Sequence, residues 1–382
     1  LQPYDGANYL PPSEEWGKPG FLKAARAALD TWQAGPDRAH ALASEALEMM
    51  KLPPLDLKAR LDIPAKLVAA TKAWVAAADS VNGGFGSAPK QPEPELIRFL
   101  LTRDKAAQEV AIKAARALVS GALRDPVDGG FYRRCIDEAW KEPYFQKTLV
   151  DQARIALALF EAADAAKDEK LRAAGIGALE FVLKELRNPD GTFAAALDGT
   201  LEENADPAKR PKFAKVGSAT SAALGLFFSA CRLSGAKHLV EAASGLAGRL
   251  PGGNPRNFTL AHAFRSGSPP TAADYLGAVL AVRVAAEGEL LKGVMGDMLA
   301  LAKDLYFDAA TGTYMASRSQ LAPGIAARVP APADALSAEV LALLAAVDAK
   351  TADLIRRNLM NQIEYDELPP GDILLGLSQG QK

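Results

Sequence analysis

Apolar residues return every three or four positions along almost the whole chain, the spacing that lines one face of an α-helix with about 3.6 residues per turn. The pattern predicts helices over 21–32, 39–50, 63–78, 96–101, 106–118, 145–163, 171–186, 218–233, 239–250, 275–286, 290–305, 336–347 and 355–363. Phe145, Leu149, Ala153, Ala156, Leu157, Phe160 and Ala163 show it well, since all fall within one apolar stripe. Strand-like alternation is nearly absent, so the expected fold class is all-α. The 76 alanines agree with this, because Ala has the best helix propensity and its small side chain lets helix axes approach closely.

Between the helices a short signal returns: Asn82-Gly83-Gly84-Phe85, Asp128-Gly129-Gly130-Phe131, Asp190-Gly191-Thr192-Phe193 and Thr311-Gly312-Thr313-Tyr314. The first glycines are 46, 62 and 121 residues apart, the last interval holding about two units with a degenerate copy near Gly252-Gly253-Asn254. Glycine supplies positive φ where a helix ends and the chain reverses, and the aromatic can fold back over the helix ends. One copy alone reads as a helix cap; four copies between helices predict an array of helical hairpins. From residue 37 onward the twelve predicted helices make six hairpins, the number of an (α/α)6 toroid with a ligand pocket at the mouth of its central funnel. An open superhelix is the alternative, but it would repeat regularly every ~34–47 residues without long glycine-aromatic loops.

Length and composition narrow the function classes. The 382 residues exceed one compact core of ordinary size, and 49% hydrophobic content excludes disorder. Lys plus Arg number 44 against 46 Asp plus Glu, without a basic stripe, so no nucleic-acid partner is expected. Apolar runs such as 222–228 are far shorter than the roughly 20 residues of a membrane-crossing helix. Cys135 and Cys231 lack CxxC or zinc spacing, and the histidines are only His40, His238 and His262, so neither a disulfide framework, a metal nor a cofactor is expected. Balanced charge and free cysteines point to the cytoplasm. The start at Leu1-Gln2-Pro3 has no initiator Met and no signal pattern, which suggests a trimmed, longer precursor.

Two stretches carry a family resemblance. Gly83-Gly84-Phe85-Gly86-Ser87-Ala88-Pro89-Lys90-Gln91-Pro92, and then Gly129-Gly130-Phe131-Tyr132-Arg133-Arg134-Cys135 continuing through Tyr144-Phe145-Gln146-Lys147-Thr148-Leu149-Val150-Asp151-Gln152-Ala153, resemble the YyaL family of thioredoxin domain-containing proteins. Its vertebrate members are called spermatogenesis-associated proteins. The resemblance implies a thioredoxin-like domain followed by a six-hairpin glycosidase-like toroid, akin to glycosidases and N-acylglucosamine 2-epimerases. Gly6-Ala7-Asn8-Tyr9-Leu10-Pro11-Pro12 and the segment from Gly17 to Leu22 look like the last strand and C-terminal helix of that first domain. The implied division is residues 1–35 as a thioredoxin-like tail and 36–382 as the toroid. Where the family usually reads His-Phe-Glu-Lys-Met-Leu-Tyr-Asp, this chain has Tyr144-Phe145-Gln146-Lys147-Thr148-Leu149-Val150-Asp151. A phenol near pKa 10 and a non-titrating amide replace the two residues best suited to proton transfer, which implies weakened or lost catalysis. The acidic cluster that the family places after Leu197-Asp198 is altered too, becoming Gly199-Thr200-Leu201-Glu202-Glu203-Asn204.

A sugar-processing toroid needs one or two carboxylates at the funnel mouth to move protons. Asp137 and Asp151 are the candidate catalytic pair; Lys147 at i,i+4 from Asp151 could equally make a plain helical ion pair, and Asp137 could brace its own loop through backbone amides or Arg133. Phe85, Phe131, Trp140 and Tyr144 are candidate surfaces for sugar rings or loop-packing groups; Gln146 belongs with them as a substrate-binding candidate. Lys90 and Arg133 could hold a carboxylate or phosphate, so the expected ligand is a sugar or sugar phosphate. His262, in a polar loop with Asn257 and Arg265, is a possible base, and Cys135 beside Arg133 and Arg134 could have a lowered pKa. The favoured reading is a carbohydrate-binding or sugar-processing toroid with reduced catalysis. An active glycosidase- or epimerase-type enzyme using Asp137 and Asp151, and a protein-interaction scaffold, are the alternatives.

Overall fold

Helix starts in this chain are written in short polar side chains. Asp62, Asp104, Thr148, Asp168, Thr220 and Asp348 each accept a backbone N–H two or three residues on, satisfying one of the donors a helix leaves open at its first turn. The computed structural model describes residues 4, 7, 10–15, 17–49, 51–200, 211–246, 250–251, 260–264, 268–285, 289–316, 338–364 and 366–379. Within them α1 (Phe21–Ala34) and α2 (Pro36–Met49) pack on each other ahead of the main array. Outer helices α3 (Ile63–Ala77), α5 (Lys105–Ser120), α7 (Glu169–Phe181), α9 (Lys237–Leu246), α11 (Glu289–Tyr306) and α13 (Ala349–Gln362) then alternate with inner ones. The inner helices are α4 (Pro94–Leu101), α6 (Leu149–Ala166), α8 (Ser221–Leu233), α10 (Ala272–Ala285), α12 (Ala338–Val347) and α14 (Gly371–Ser378).

Each inner helix packs on the next, and α14 packs back on α4, which closes the ring and excludes the open superhelix. Trp74 on α3 seals the join by donating its Nε1–H to Pro369 O at 2.8 Å, while Lys66 Nζ donates to Glu364 O and Asp366 O at 3.1 and 2.9 Å. Inner helices are apolar nearly all round, as a helix covered on every side must be: eleven of the residues of α6 and ten of α8 are buried. Where α8 meets α10 the backbones touch at Gly225 and Gly277, positions at which any Cβ would overlap the other helix.

The glycine-aromatic turns are where the pattern put them. Gly83, Gly129, Gly191 and Gly312 have φ of 74°, 79°, 85° and 69°, and each turn follows an outer helix. The aromatic closes the turn by pairing back on the helix end, as Phe85 with Ala78, Phe131 with Arg124 and Phe193 with Arg187. The degenerate copy near Gly252-Gly253-Asn254 lies outside the described residues.

Three expectations need correction. The six hairpins do not include α2: the twelfth ring helix is α14, whose apolar residues Ile373, Leu374, Leu375 and Leu377 cluster without a marked period because they are buried together. The segment expected as one helix over 145–163 begins as strand β1 (Gln146–Thr148), which pairs antiparallel with β2 (Ala196–Thr200), itself paired with β3 (Lys212–Val216). A two-residue ribbon, β4 (Phe307–Asp308) with β5 (Thr313–Tyr314), completes the strands among the described residues. The helix expected over 171–186 changes at its end to a wider π turn, Val182–Leu186. Before Phe21, the described residues show only one isolated bridge, Glu15 with Lys18.

Candidate functional site

Because every inner helix follows a reversal from an outer one, the inner N-termini gather at one end of the ring. Four of them carry an acid in the first turn: Glu95, Asp151, Asp274 and Asp372. Helix dipoles favour negative charge there, so the mouth is acidic by construction. Arg154 on α6 answers with Nε 3.3 Å from Glu95 Oε1.

Further down, Arg98 on α4 donates to Glu161 of α6 at 2.7 Å and to Glu339 of α12 at 2.6 Å. In the ring order α6 and α12 stand opposite one another, so Arg98 of α4 ties the two across the ring. Burial alone would depress its pKa, but the two carboxylates win and raise it.

Asp151 is the most exceptional group at the mouth. Thr148 caps α6 by accepting the Asp151 N–H at 3.0 Å, which fixes the residue in the first turn. Its Oδ2 is buried and has no hydrogen-bond partner among the described residues. Burial raises its pKa, against the Thr148 hydroxyl and the charges of Arg133 and Arg154, which lower it. Glu95 is raised by burial against Arg154, and Glu93, held at a φ of 45°, is raised by burial and by nearby Asp372. The cluster combines protonatable carboxyls with fixed cations, which suits binding of hydroxyl groups and proton exchange.

The other predicted residues have structural partners. Lys147 sits on the inward face of β1, not on a helix, so it pairs with Asp125 and Asp128, each at 2.7 Å, in place of Asp151. The rings of Tyr132, Phe213 and Phe181 surround its Nζ at 4.6, 5.0 and 5.1 Å. Lys90 is equally buried, donating to Asp79 at 2.5 Å and to Glu138 O at 3.0 Å. Asp137 braces its loop, accepting from the N–H of Ala139, Lys141 and Glu142 at 2.8, 3.0 and 2.7 Å. Partial burial would raise its pKa, but these amides hold it low.

Trp140 lies over Gly84 with Nε1 donating to Gly83 O at 3.0 Å, and Phe85 packs edge-on to Trp74. Phe131 is buried, its N–H donating to Gln152 Oε1 at 2.7 Å. Tyr144 is 40% exposed with the Arg134 guanidinium 4.7 Å from its ring, and Gln146 accepts from Arg133 Nη1 at 3.0 Å. Burial pushes the Cys135 thiol up to about 12, with Asp137 adding to the rise, opposite to the lowering expected beside two arginines. A cleft of about 440 Å³ opens beside this loop, lined by Asn82, Ser120, Gly121, Ala139, Trp140 and Lys141.

The structure thus separates the predicted pair in role: Asp151 is at the acidic mouth, while Asp137 holds a loop. Sequence reasoning missed Glu93, Glu95, Arg98, Arg154 and Asp372. For Glu95 and Asp372 the signal was the repeated first-turn acid, visible only once the inner helices are known. Asn257, Arg265, Glu202 and Glu203 lie outside the described residues. No helix among the described residues is long and apolar enough to cross a membrane.

No protein-family model matches the sequence. Over 232 residues the chain is 28% identical to spermatogenesis-associated protein 20 of Homo sapiens, covering 56% of this chain and 28% of that protein. The Mus musculus protein of the same name is 28% identical over 218 residues, covering 52% and 27%. The matches therefore span little more than a quarter of these relatives. Among solved structures, a sugar epimerase from a ruminal bacterium has a TM-score of 0.58 at 15% identity, covering 80% of this chain and 87% of that one. Cellobiose 2-epimerase from Spirochaeta thermophila DSM 6192 has a TM-score of 0.58 at 15% identity, covering 80% and 86%. A GH76 α-mannanase from Bacteroides thetaiotaomicron has 0.53 at 9%, covering 83% and 94%. The fold is the six-hairpin toroid, and the resemblance to spermatogenesis-associated proteins stands; the thioredoxin-like part is not covered by these likenesses.

Proposed function

We propose that this toroid binds a carbohydrate at its acidic mouth, with Asp151 as the principal polar contact. The observation that carries the reading is the partly exposed Asp151 in the first turn of α6 at the acidic mouth, whose carboxyl is left with one oxygen, Oδ2, that has no hydrogen-bond partner among the described residues. Support comes from the fold, which a solved sugar epimerase, a cellobiose 2-epimerase and an α-mannanase share. Glu93, Glu95, Asp151 and Asp372 outnumber Arg133 and Arg154 around it, which favours a neutral sugar over a sugar phosphate.

Tyr144 and Gln146, which stand where the resembling family has His and Glu, are engaged by Arg134 and Arg133, consistent with binding outweighing turnover. A second reading, active proton transfer, is favoured by the raised carboxyls of Asp151 and Glu95, since an acid that keeps its proton nearer neutrality can donate it.

Isothermal calorimetry with neutral sugars and sugar phosphates tests the proposal. Asp151→Asn should weaken binding of a neutral sugar at least tenfold, whereas unchanged affinity in the variant, or no binding by the wild type, refutes the assignment. A turnover assay on the sugars that bind decides between the two readings.

A further inference from the structure

His262 lies just before α10, with its ring Nδ1 2.8 Å from Asp274 Oδ2. That carboxylate is fully buried and already fixed by two helices. Its Oδ2 accepts from Thr271 N–H and from Thr271 Oγ1, each at 2.8 Å, while Oδ1 reaches Ala222 N on α8 at 3.4 Å. Thr271 and Asp274 form a capping box. The histidine's own backbone is pinned too, since Ser221 N–H donates to His262 O at 3.2 Å and Ser221 Oγ to Ala261 O at 3.0 Å. The imidazole is therefore held beside the N-termini of α8 and α10, at the mouth end of the ring.

A carboxylate only accepts, so Nδ1 donates, and the neutral ring carries its lone pair on Nε2. His262 keeps 39% of its side chain exposed, and Nε2 has no partner among the described residues. The other histidines differ: His238 bonds an exposed Glu180 through Nε2, and His40 stacks edge-on with Trp32.

We infer that His262 is a proton-accepting residue of the mouth, on the side opposite α4, and that Asp274 is its positioning residue. Nε2 takes the proton of a hydroxyl on the bound sugar; the O–H electron pair stays on oxygen, the ring becomes imidazolium, and Asp274 remains a carboxylate facing it. On reversal the proton returns to the sugar oxygen. This assignment rests on the carbohydrate reading above and adds a second wall to the site.

The test is nitrogen NMR of the histidine rings in the whole chain, with cellobiose, D-mannose and N-acetylglucosamine as probes and His262→Gln to identify the signals. In the wild type His262 should carry its proton on Nδ1, and Asp274→Asn should mix the tautomers. A sugar that binds should move the Nε2 signal, and His262→Gln should lower its affinity at least fivefold. An unchanged tautomer in Asp274→Asn, or sugar binding that leaves Nε2 unmoved, overturns this inference and spares the carbohydrate reading. No binding of any of the three sugars by the wild type overturns both.

Discussion

Lys147 Nζ and Asp125 Oδ2 meet at 2.7 Å with both side chains removed from solvent. The pair joins β1 to the second glycine turn, and Asp128 completes the ammonium's bonds. Breaking such a pair leaves uncompensated buried carboxylates, so Lys147→Met should destabilise the fold by about 3–5 kcal/mol. Urea denaturation measures this; a loss below about 1 kcal/mol, typical of an exposed pair, would contradict the structure.

Asp151 should show opposite effects on stability and binding. Its folded pKa is raised, so the folded state binds protons more readily than the unfolded chain and stability falls as pH rises through that window. Above the folded pKa the penalty is complete. Asp151→Asn removes it and should be at least as stable as wild type at pH 7, by up to about 1 kcal/mol, while losing sugar affinity. Thermal unfolding at acidic and neutral pH checks the sign: the advantage of the variant should shrink on acidification.

The contact of Gly225 with Gly277 has no room for a side chain, since a Cβ on either overlaps the opposite backbone. Gly225→Ala and Gly277→Ala should each cost about 1–3 kcal/mol despite the better helix propensity of alanine. The double variant should lose less than the sum, because the first substitution already pushes α8 and α10 apart. Denaturation of the three variants measures this coupling.

Trp140 distinguishes loop packing from ligand stacking. Its indole covers Gly84 and bonds Gly83 O, so Trp140→Ala should destabilise by about 3–5 kcal/mol. Trp140→Phe should keep most of the packing, lose about 1 kcal/mol for the hydrogen bond, and leave sugar affinity unchanged. Calorimetry showing lost affinity in the Phe variant would restore Trp140 to the binding surface.

Much of the ring could be read from the chain, because its determinants are local. Gly83, Gly129, Gly191 and Gly312 announce their left-handed turns by residue type, and long helices such as α6 announce themselves by period. What failed was short or assembled. α14 clusters its apolar residues at Ile373, Leu374, Leu375 and Leu377 without a marked period, and Lys147 falls in a segment expected as helix that the sheet interrupts. Asp151 was legible as a candidate carboxylate but not as a first-turn acid, because β1 moves the helix start to Leu149, and Asp372 approaches Glu95 only because the chain's end packs on α4, a closure that no local pattern encodes. The capping box Thr271-Ala272-Ala273-Asp274 was written in the sequence, and its grip on His262 was not.

The Arg98 guanidinium shared by Glu161 and Glu339 reaches from α4 to α6 and across the ring to α12. One side chain thereby holds three inner helices at a common spacing, two of them not neighbours in the ring, so its loss would loosen parts of the array far apart in sequence.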